Sequence, residues 1–391
     1  MQVIVKLTTK CNLGCVYCSE GDKCQMDLSL NTLYKLIDEL PLLLDKYHDK
    51  NISLLWHGGE PLVIGKSYLI KAMQYASEKL QKYDLSFAMQ TNGTLIDEEW
   101  ITIFKQFNVG IGISLDGYKE IHDKNRLTKN HQPTFDLVLN NIKLLKQHGI
   151  SAGTLMVLNT AEKIDVDKLF DFLKDNNLQP KIHPVIPCGR AKDEPAEQID
   201  MIYKNYIELM KTLYQKVMTS DTKFIIEPLD SLMNTILGIS SVRECSFNGN
   251  CGKNFICLYA NGDVGFCGRD GSLDKDRYMY GNINDNSLIS LYESLNAQKI
   301  RQRQEYLKQN DCKNCPDWKF CHGGCSFEAV NFYGTLNAKY PHCKLRRELL
   351  AYLKTTGLEL LKASLLRQKR QYRLSIKSKK ELLKEFDNGR E

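Results

Sequence analysis

Short apolar runs alternate with longer amphipathic stretches from the N-terminus to about residue 218, and this alternation limits the fold more than any other feature. Six apolar runs predict strands, and the stretches between them have apolar residues at helical spacing. The predicted strands are Gln2–Leu7, Ile52–Trp56, Leu85–Met89, Val109–Ser114, Ser151–Val157 and Pro180–Val185. The helical patterns lie near 30–48, 66–82, 96–107, 134–149, 164–176 and 197–218. Repeated strand–helix units imply a parallel sheet with helices outside, and six units favour a partial (β/α)6 TIM-like barrel over a closed eight-unit barrel.

The composition changes twice after the predicted barrel, which gives an α/β fold of three parts. Residues 1–239 form the barrel, and residues 240–345 form a small domain dense in cysteine, glycine and asparagine, whose thin apolar core calls for metal to hold it together. Residues 346–391 form a basic helical tail, since residues 344–391 contain 14 Lys and Arg against 6 Asp and Glu. We find no motif that reads nucleic-acid bases, so the basic charge predicts no nucleic-acid partner.

The remaining composition is that of an ordinary globular protein. Apolar residues make up 42% and charged residues 26% of the 391 residues, which excludes disordered and coiled-coil classes. No apolar window is long enough to span a membrane, and the N-terminus lacks the features of a signal peptide. We therefore expect a cytoplasmic protein, a reducing setting in which its fourteen clustered cysteines bind metal or carry out chemistry rather than form disulfides.

The first cysteine cluster follows the first predicted strand directly. Cys11, Cys15 and Cys18 have the spacing C-x3-C-x2-C. Three thiolates leave one position of a metal centre open for a small molecule, whereas structural zinc sites and fully ligated clusters use four protein ligands. The alternative is a zinc site that Cys24 or His57 completes.

This spacing, with an aromatic residue before the third cysteine and a βα barrel around it, resembles that of the radical S-adenosylmethionine (SAM) enzymes. The resemblance implies that Cys11, Cys15 and Cys18 hold a 4Fe–4S cluster whose free iron binds SAM. Reductive cleavage of SAM then gives a radical that removes a hydrogen atom from the substrate.

Polar and glycine-rich segments end the next four strands, and the resemblance implies that they contact the cofactor. Gly58-Gly59-Glu60-Pro61 resembles the family's GGEP motif, in which the glycines allow close backbone approach and the glutamate offers a carboxylate to an ammonium group. The residues that the resemblance places against SAM are Tyr17, Gly58, Gly59, Glu60, Gln90, Asn92, Ser114, Asp116, Arg126 and Val157.

A second set of cysteines resembles the SPASM extension of this family. Cys312-x2-Cys315-x5-Cys321-x3-Cys325-x17-Cys343 follows Gly262-x4-Cys267. The resemblance implies two auxiliary clusters, and therefore three 4Fe–4S clusters in all. Auxiliary cluster I takes Cys251, Cys257, Cys267 and Cys325, and auxiliary cluster II takes Cys312, Cys315, Cys321 and Cys343. Cys245 remains an alternative to Cys251 or Cys257, and two structural zinc ions are the alternative to the clusters.

The resemblance covers about residues 1–345 and is closest to the enzymes that modify peptides. It predicts a peptide maturase that forms a C–C or C–S cross-link in a precursor peptide, with an auxiliary cluster accepting an electron and a flavodoxin- or ferredoxin-type electron donor. The alternatives are an anaerobic sulfatase maturase and a non-catalytic, metal-stapled binding protein. In sulfatase maturases an aspartate base follows the third cysteine of auxiliary cluster I, whereas here Gly268 follows Cys267. Asp270 and Tyr259 are candidates for the missing base.

Overall fold

The computed structural model describes residues 1–21, 24–222, 224–240 and 244–369, with the side chain of residue 270 excepted. Six parallel strands form the barrel sheet: β1 Gln2–Lys6, β2 Asn51–His57, β3 Asp84–Thr91, β4 Gly110–Ser114, β5 Ala152–Leu158 and β6 Pro180–Pro184. The helices that accompany them are α1 Leu30–Lys46, α2 Lys66–Lys79, α3 Glu98–Gln106, α4 Lys119–Asn125, α5 Phe135–Gln147, α6 Val166–Asp175, α7 Ala196–Thr219 and α8 Leu229–Ile236. The predicted α/β class and partial barrel are confirmed.

The cysteine-rich part continues the same sheet. Its strands are β7 Phe255–Leu258, β8 Asp263–Gly265 and β9 Gly281–Asn282. The strand order is β6-β5-β4-β3-β2-β1-β7-β8-β9, and β7 pairs in parallel with β1. The barrel therefore stays open between β1 and β6, and the second domain is joined to it along β1.

Short helices complete the chain, and a longer helix ends the described part. They are α9 Cys245–Asn248, α10 Lys275–Tyr278, α11 Leu288–Tyr292, α12 Leu295–Gln309, α13 Trp318–Cys321, α14 Ser326–Tyr333 and α15 Cys343–Tyr352. A π-helical turn over Leu353–Gly357 follows α15, and helix continues to residue 369. The rest of the predicted basic tail, residues 370–391, lies outside the described residues.

Periodic burial explains why these segments fold as they do. Helix α1 buries Leu33, Leu36, Ile37 and Leu40 completely, a stripe at helical spacing, and Ser29 caps its first turn by accepting a hydrogen bond from the Thr32 amide. Each such side chain contributes about 1.5–3 kcal/mol to stability when it leaves water. Of the helices in the described part of the chain, none has the length and apolar character that a membrane span requires.

Candidate active site and metal centres

The first cysteine loop is held in place by the segment after α4. The amide of Gly14 donates to the Leu127 carbonyl at 2.8 Å, and that of Val16 donates to the Asn125 carbonyl at 3.0 Å. Burial, together with the nearby Glu60, Cys15 and Cys18, raises the pKa of the Cys11 thiol to about 11. The three predicted ligands therefore share one small region at the carboxyl end of β1.

The loop after β6 closes over the same cysteines. The amide of Arg190 donates to the Cys18 carbonyl, and its guanidinium donates to the Cys15 carbonyl, each at 3.0 Å. Gly189 has φ +60°, and a Cβ there would lie 2.2 Å from the Cys18 carbonyl oxygen. Sequence reasoning missed this contact. Its only signal was a glycine next to Cys188, directly after the last barrel strand.

The two glycines of the GGEP motif pack against the backbone that leads into the cysteine loop. The Gly59 amide donates to the Thr8 carbonyl at 2.7 Å. A Cβ on Gly58 would lie 2.4 Å from the Thr8 carbonyl oxygen, and one on Gly59 would lie 2.2 Å from that of Lys10. The close approach that the motif predicted is therefore made to residues just before Cys11, and larger residues would displace the loop.

Glu60 joins the ends of β2 and β3. Its carboxylate accepts hydrogen bonds from the Thr91 hydroxyl at 2.7 Å, the Asn92 amide at 2.7 Å and the Leu62 amide at 3.1 Å. The side chain is buried, so its contacts in the structure are with the protein. A contact between Glu60 and the cofactor ammonium stays a prediction.

Glu60 should make the stability of the metal-free chain depend on pH. Burial raises the pKa of its carboxyl from the usual 4.5 to about 7. A pKa that is higher in the folded state stabilises the fold at low pH, and the contribution is lost as pH rises through about 7. We expect the wild type to lose roughly 3 kcal/mol relative to Glu60→Gln between about pH 4 and pH 8. Urea unfolding at a series of pH values measures this difference, and parallel curves would contradict it.

Polar side chains contact their neighbours at the ends of β3 and β4, and one of them, Asn92, lies beside Cys11. The Gln90 side chain donates to the Ser114 hydroxyl at 3.1 Å. The Asn92 amide donates to Asn12 at 2.9 Å and lies 3.9 Å from the Cys11 sulfur. The structure thus brings the predicted Gln90, Asn92 and Ser114 to one rim and adds Asn12, which sequence reasoning did not select.

Asp116 contacts three other predicted residues. It is fully buried, accepts hydrogen bonds from the Tyr17 hydroxyl and, at 3.0 Å, from the Val157 amide, and pairs with the Arg126 guanidinium at 3.1 Å. The Arg126 guanidinium also lies 5.3 Å from the centre of the Tyr17 ring. Burial raises the pKa of the Cys15 thiol, which Arg126 lowers and Asp116 raises. Both members of this buried ion pair therefore influence the pKa of a thiol in the cysteine loop.

Lys6 is the most buried cation near the first cysteine loop. Its ammonium donates to Glu20 at 2.6 Å and lies 3.3 Å from Nδ1 of His57. Burial lowers the pKa of Lys6, but Glu20 and the nearby Cys257 and Cys267 raise it above its usual value overall. Burial and Lys6 lower the pKa of His57 to about 3, so that this imidazole is neutral.

Four of the later cysteines line one cavity. Cys312, Cys315, Cys321 and Cys343, the set predicted for auxiliary cluster II, surround it together with Lys339, Arg346 and Arg347. Burial, together with the three other thiols, raises the pKa of the Cys312 thiol to about 11. The set that the family resemblance implied for auxiliary cluster II is therefore brought together by the fold.

The cysteines predicted for auxiliary cluster I are not grouped in the structure as the resemblance implied. Cys325 is buried, and its pKa is raised well above the usual value by burial, by Glu328, and by Cys251 and Cys267. Cys245 lines a cavity with Cys325, and its thiol interacts electrostatically with Cys325 and Cys251. Cys245 therefore belongs to this group.

Cys257 lies on the other face of the extended sheet. On β7 its neighbours Ile256 and Leu258 enter the main core, whereas Cys257 packs with Tyr259 and Met279 in a separate apolar cluster. Successive strand residues point to opposite faces, which separates Cys257 from the group around Cys325. The structure thus favours Cys245, which the spacing had left open, over Cys257.

Of the two candidate bases, Asp270 and Tyr259, the structure describes the side chain of Tyr259. The side chain of Asp270 lies outside the described residues. The Tyr259 hydroxyl donates to the Cys267 carbonyl at 2.9 Å and accepts from the Gly271 amide at 2.8 Å. Tyr259 is thus held by the cysteine-rich domain.

The donor set is suited to clusters of several irons. Within the described residues, no three His, Cys, Asp or Glu side chains lie close enough together to hold a single metal ion. The thiolates of a 4Fe–4S cluster bind separate irons and so lie farther apart than the ligands of one zinc ion. The groups Cys11/Cys15/Cys18, Cys312/Cys315/Cys321/Cys343 and Cys245/Cys251/Cys267/Cys325 fit that chemistry in residue type and number.

Two family models match the chain in the regions that carry these groups. The model of the Radical SAM superfamily matches residues 5–173, and the SPASM model, described as an iron-sulfur cluster-binding domain, matches residues 245–316. Among curated proteins, the cysteine-type anaerobic sulfatase-maturating enzyme of Clostridium novyi (strain NT) is 28% identical over 336 residues, which are 83% of this chain and 87% of that protein.

Solved structures share the fold. Native anSMEcpe with bound AdoMet and Cp18Cys peptide superposes with a TM-score of 0.78 at 23% identity, covering 93% of this chain and 98% of that one. Streptococcus suis SuiB bound to the precursor peptide SuiA has a TM-score of 0.62 at 14% identity, covering 87% of this chain and 75% of that one.

Proposed function

We propose that this chain forms a C–C or C–S cross-link in a peptide. It contains a radical SAM domain and a SPASM domain, which place it with the radical SAM maturases. The resemblance drawn from the cysteine spacing is thereby confirmed, and the domains imply 4Fe–4S clusters and SAM. The number of three clusters is part of the proposal, as is a cytoplasmic setting with a flavodoxin- or ferredoxin-type donor.

The observation that carries the proposal is the grouping of thiols. Three thiols follow β1, and the later cysteines form two groups of four. We assign the first cluster to Cys11, Cys15 and Cys18, and auxiliary cluster II to Cys312, Cys315, Cys321 and Cys343. For auxiliary cluster I we replace Cys257 with Cys245, alongside Cys251, Cys267 and Cys325.

The cofactor, when bound at the first cluster, supplies a radical that removes hydrogen atoms. In the proposed reaction the peptide loses one hydrogen atom to that radical, one proton to a base and one electron to an auxiliary cluster, as its new bond closes. We assign cofactor contacts to the residues that meet at the rim beside Cys11 and Cys15. These are Tyr17, Gly58, Gly59, Glu60, Gln90, Asn92, Ser114, Asp116, Arg126 and Val157.

A cleft of about 290 Å³ supports a peptide substrate. It lies between the first cysteine loop and the β7–β8 hairpin, and polar residues of both domains line it, among them Lys6, Glu20, Asn261 and Lys275. The solved structures named for a bound peptide, anSMEcpe with Cp18Cys and SuiB with SuiA, have the same fold.

Gly268 favours cross-linking over formylglycine formation. It occupies the position at which sulfatase maturases carry their aspartate base, and a Cβ there would lie 3.4 Å from Cε of Lys6. The position of the aspartate base is thus taken by a glycine that lies next to the buried Lys6 side chain. The acid partner of that cation is Glu20, which comes from the first cysteine loop.

The second candidate, sulfatase maturation, is favoured by the 28% identity with the Clostridium novyi enzyme. Mass spectrometry separates the two reactions when reconstituted protein is incubated with SAM, dithionite and candidate peptides. Loss of one pair of hydrogen atoms, with fragmentation blocked between two residues, is expected for a cross-link. Conversion of one cysteine or serine to an aldehyde that reacts with hydrazines would replace our proposal with the second candidate.

A further inference from the structure

One buried arginine stands between the two groups of four thiols. Arg346 lies on α15, three residues after Cys343. The cavity that holds Cys245 and Cys325 and the cavity that holds Cys312, Cys315, Cys321 and Cys343 are separate, and of the described residues only Tyr340 and Arg346 line both.

The guanidinium of Arg346 contacts both groups. It donates to the Ser246 carbonyl, next to Cys245, at 2.7 Å and to the Cys321 sulfur at 3.6 Å. It is stacked between two rings, with its central carbon 4.0 Å from the centre of Phe247 and 3.6 Å from that of Tyr340. These contacts fix the side chain in one position.

The charge of Arg346 lacks a carboxylate partner. The side chain is 6% exposed, and within the described residues no carboxylate oxygen lies within 4.0 Å of its nitrogen atoms. A buried cation without an anion is costly, so such charges are normally paired. Glu328 lines the same cavity and interacts with Arg346 electrostatically, but it forms no ion pair with it. Cysteines on either side of Arg346, once bound to metal as thiolates, would add negative charge next to it.

We propose that Arg346 is a positioning residue for both auxiliary clusters and that it raises the reduction potential of the cluster at Cys312, Cys315, Cys321 and Cys343. This inference rests on the proposed function, since it requires a cluster at each group. Hydrogen bonds to the sulfurs and net charge set the potentials of iron–sulfur clusters. A buried positive charge favours the reduced, more negative state, and acts more strongly than an exposed one because little water screens it.

The test compares Arg346→Gln with Arg347→Gln in the full-length, anaerobically reconstituted protein. Arg347 is the neighbouring residue on α15 and lines the same cavity, but its side chain is 53% exposed and pairs with Asp317 at 3.1 Å. Iron is counted, and midpoint potentials are measured by redox titration followed by electron paramagnetic resonance. The measurements are repeated in a Cys11/Cys15/Cys18→Ala background, so that signals of the auxiliary clusters stand alone.

We expect Arg346→Gln to shift the midpoint potential of one auxiliary cluster to more negative values, and Arg347→Gln to shift it less. Arg346→Lys, which keeps the charge but loses the planar guanidinium that lies between the Phe247 and Tyr340 rings, should fall between Arg346→Gln and the wild type. Full iron content with unchanged potentials in Arg346→Gln would overturn the inference.

Loss of iron from Arg346→Gln would support the positioning role, and Arg346→Met, a second neutral variant, then decides the effect on potential. An iron-replete Arg346→Met with wild-type potentials would overturn that effect. A wild-type protein that assembles no auxiliary cluster would instead overturn the proposed function, because the iron count falls short before any Arg346 variant is compared.

Discussion

Replacing Cys11, Cys15 and Cys18 with alanine is expected to abolish cleavage of SAM to 5′-deoxyadenosine and to remove about four irons per chain. The three thiols converge at the carboxyl end of β1, where Arg190 and the Gly58–Gly59 backbone pack against their loop. No other cysteine of the described residues is held in that loop by such contacts, so the remaining thiols should not rescue the cluster. Iron analysis and mass spectrometry of the reaction products measure both effects.

Cys24→Ala is the matched control for the triple variant. Cys24 belongs to the same segment after β1 but is exposed and fits no cysteine motif. We expect this variant to keep its iron and its SAM cleavage. If the triple variant still cleaves SAM, or if Cys24→Ala loses as much iron as the triple variant, the assignment of the first cluster is wrong. Stoichiometric zinc in place of iron would favour the metal-stapled binding protein.

The barrel could be predicted from the sequence because its signals are local. Each strand carries its own run of apolar residues, and each predicted strand overlaps the observed one; Ile52–Trp56, for example, lies within β2. The short helix α4 was missed because its seven residues, KEIHDKN, contain a single apolar residue and so show no helical stripe.

Contacts between distant segments could not be predicted in this way. β7 has four residues, and only its pairing with β1, some 250 positions earlier, makes it part of the barrel sheet. Glu60 was selected from its motif as a cofactor contact, which stays a prediction, and its hydrogen bonds come from Thr91, at the end of β3, and from Asn92, which follows it. A motif identifies such a side chain, whereas the fold decides which groups surround it.

The burial of Arg346 in the second domain also could not be predicted from the sequence. In the sequence it is one of many basic residues after Cys343, and the basic tail as a whole reads as a solvated helix face. Its burial arises because α15 packs against α7 and places the side chain between Phe247 and Tyr340. Arg347, adjacent in sequence, faces outward. Helical geometry, which turns neighbouring residues to different faces, separates the two roles.

Cys245→Ala and Cys257→Ala are expected to differ sharply, although both cysteines precede the Gly262-x4-Cys267 motif. Cys245 interacts with Cys251 and Cys325, so that its loss should remove or convert auxiliary cluster I, with a fall of up to about four irons per chain. Formation of modified peptide should be lost, while the first cluster continues to cleave SAM. Cys257 packs against Tyr259 and Met279, and its loss should leave the iron content unchanged.

Iron counting, electron paramagnetic resonance and product analysis on the two variants decide between the assignments, with Cys251→Ala as the positive control. A small destabilisation of Cys257→Ala is compatible with our assignment, because truncating a buried side chain leaves a cavity. Loss of a cluster from Cys257→Ala, together with full iron in Cys245→Ala, would restore the ligand set that the family resemblance first implied. In that case the extended sheet would have to turn Cys257 toward Cys325, and the pairing of β7 with β1 that we describe would be wrong.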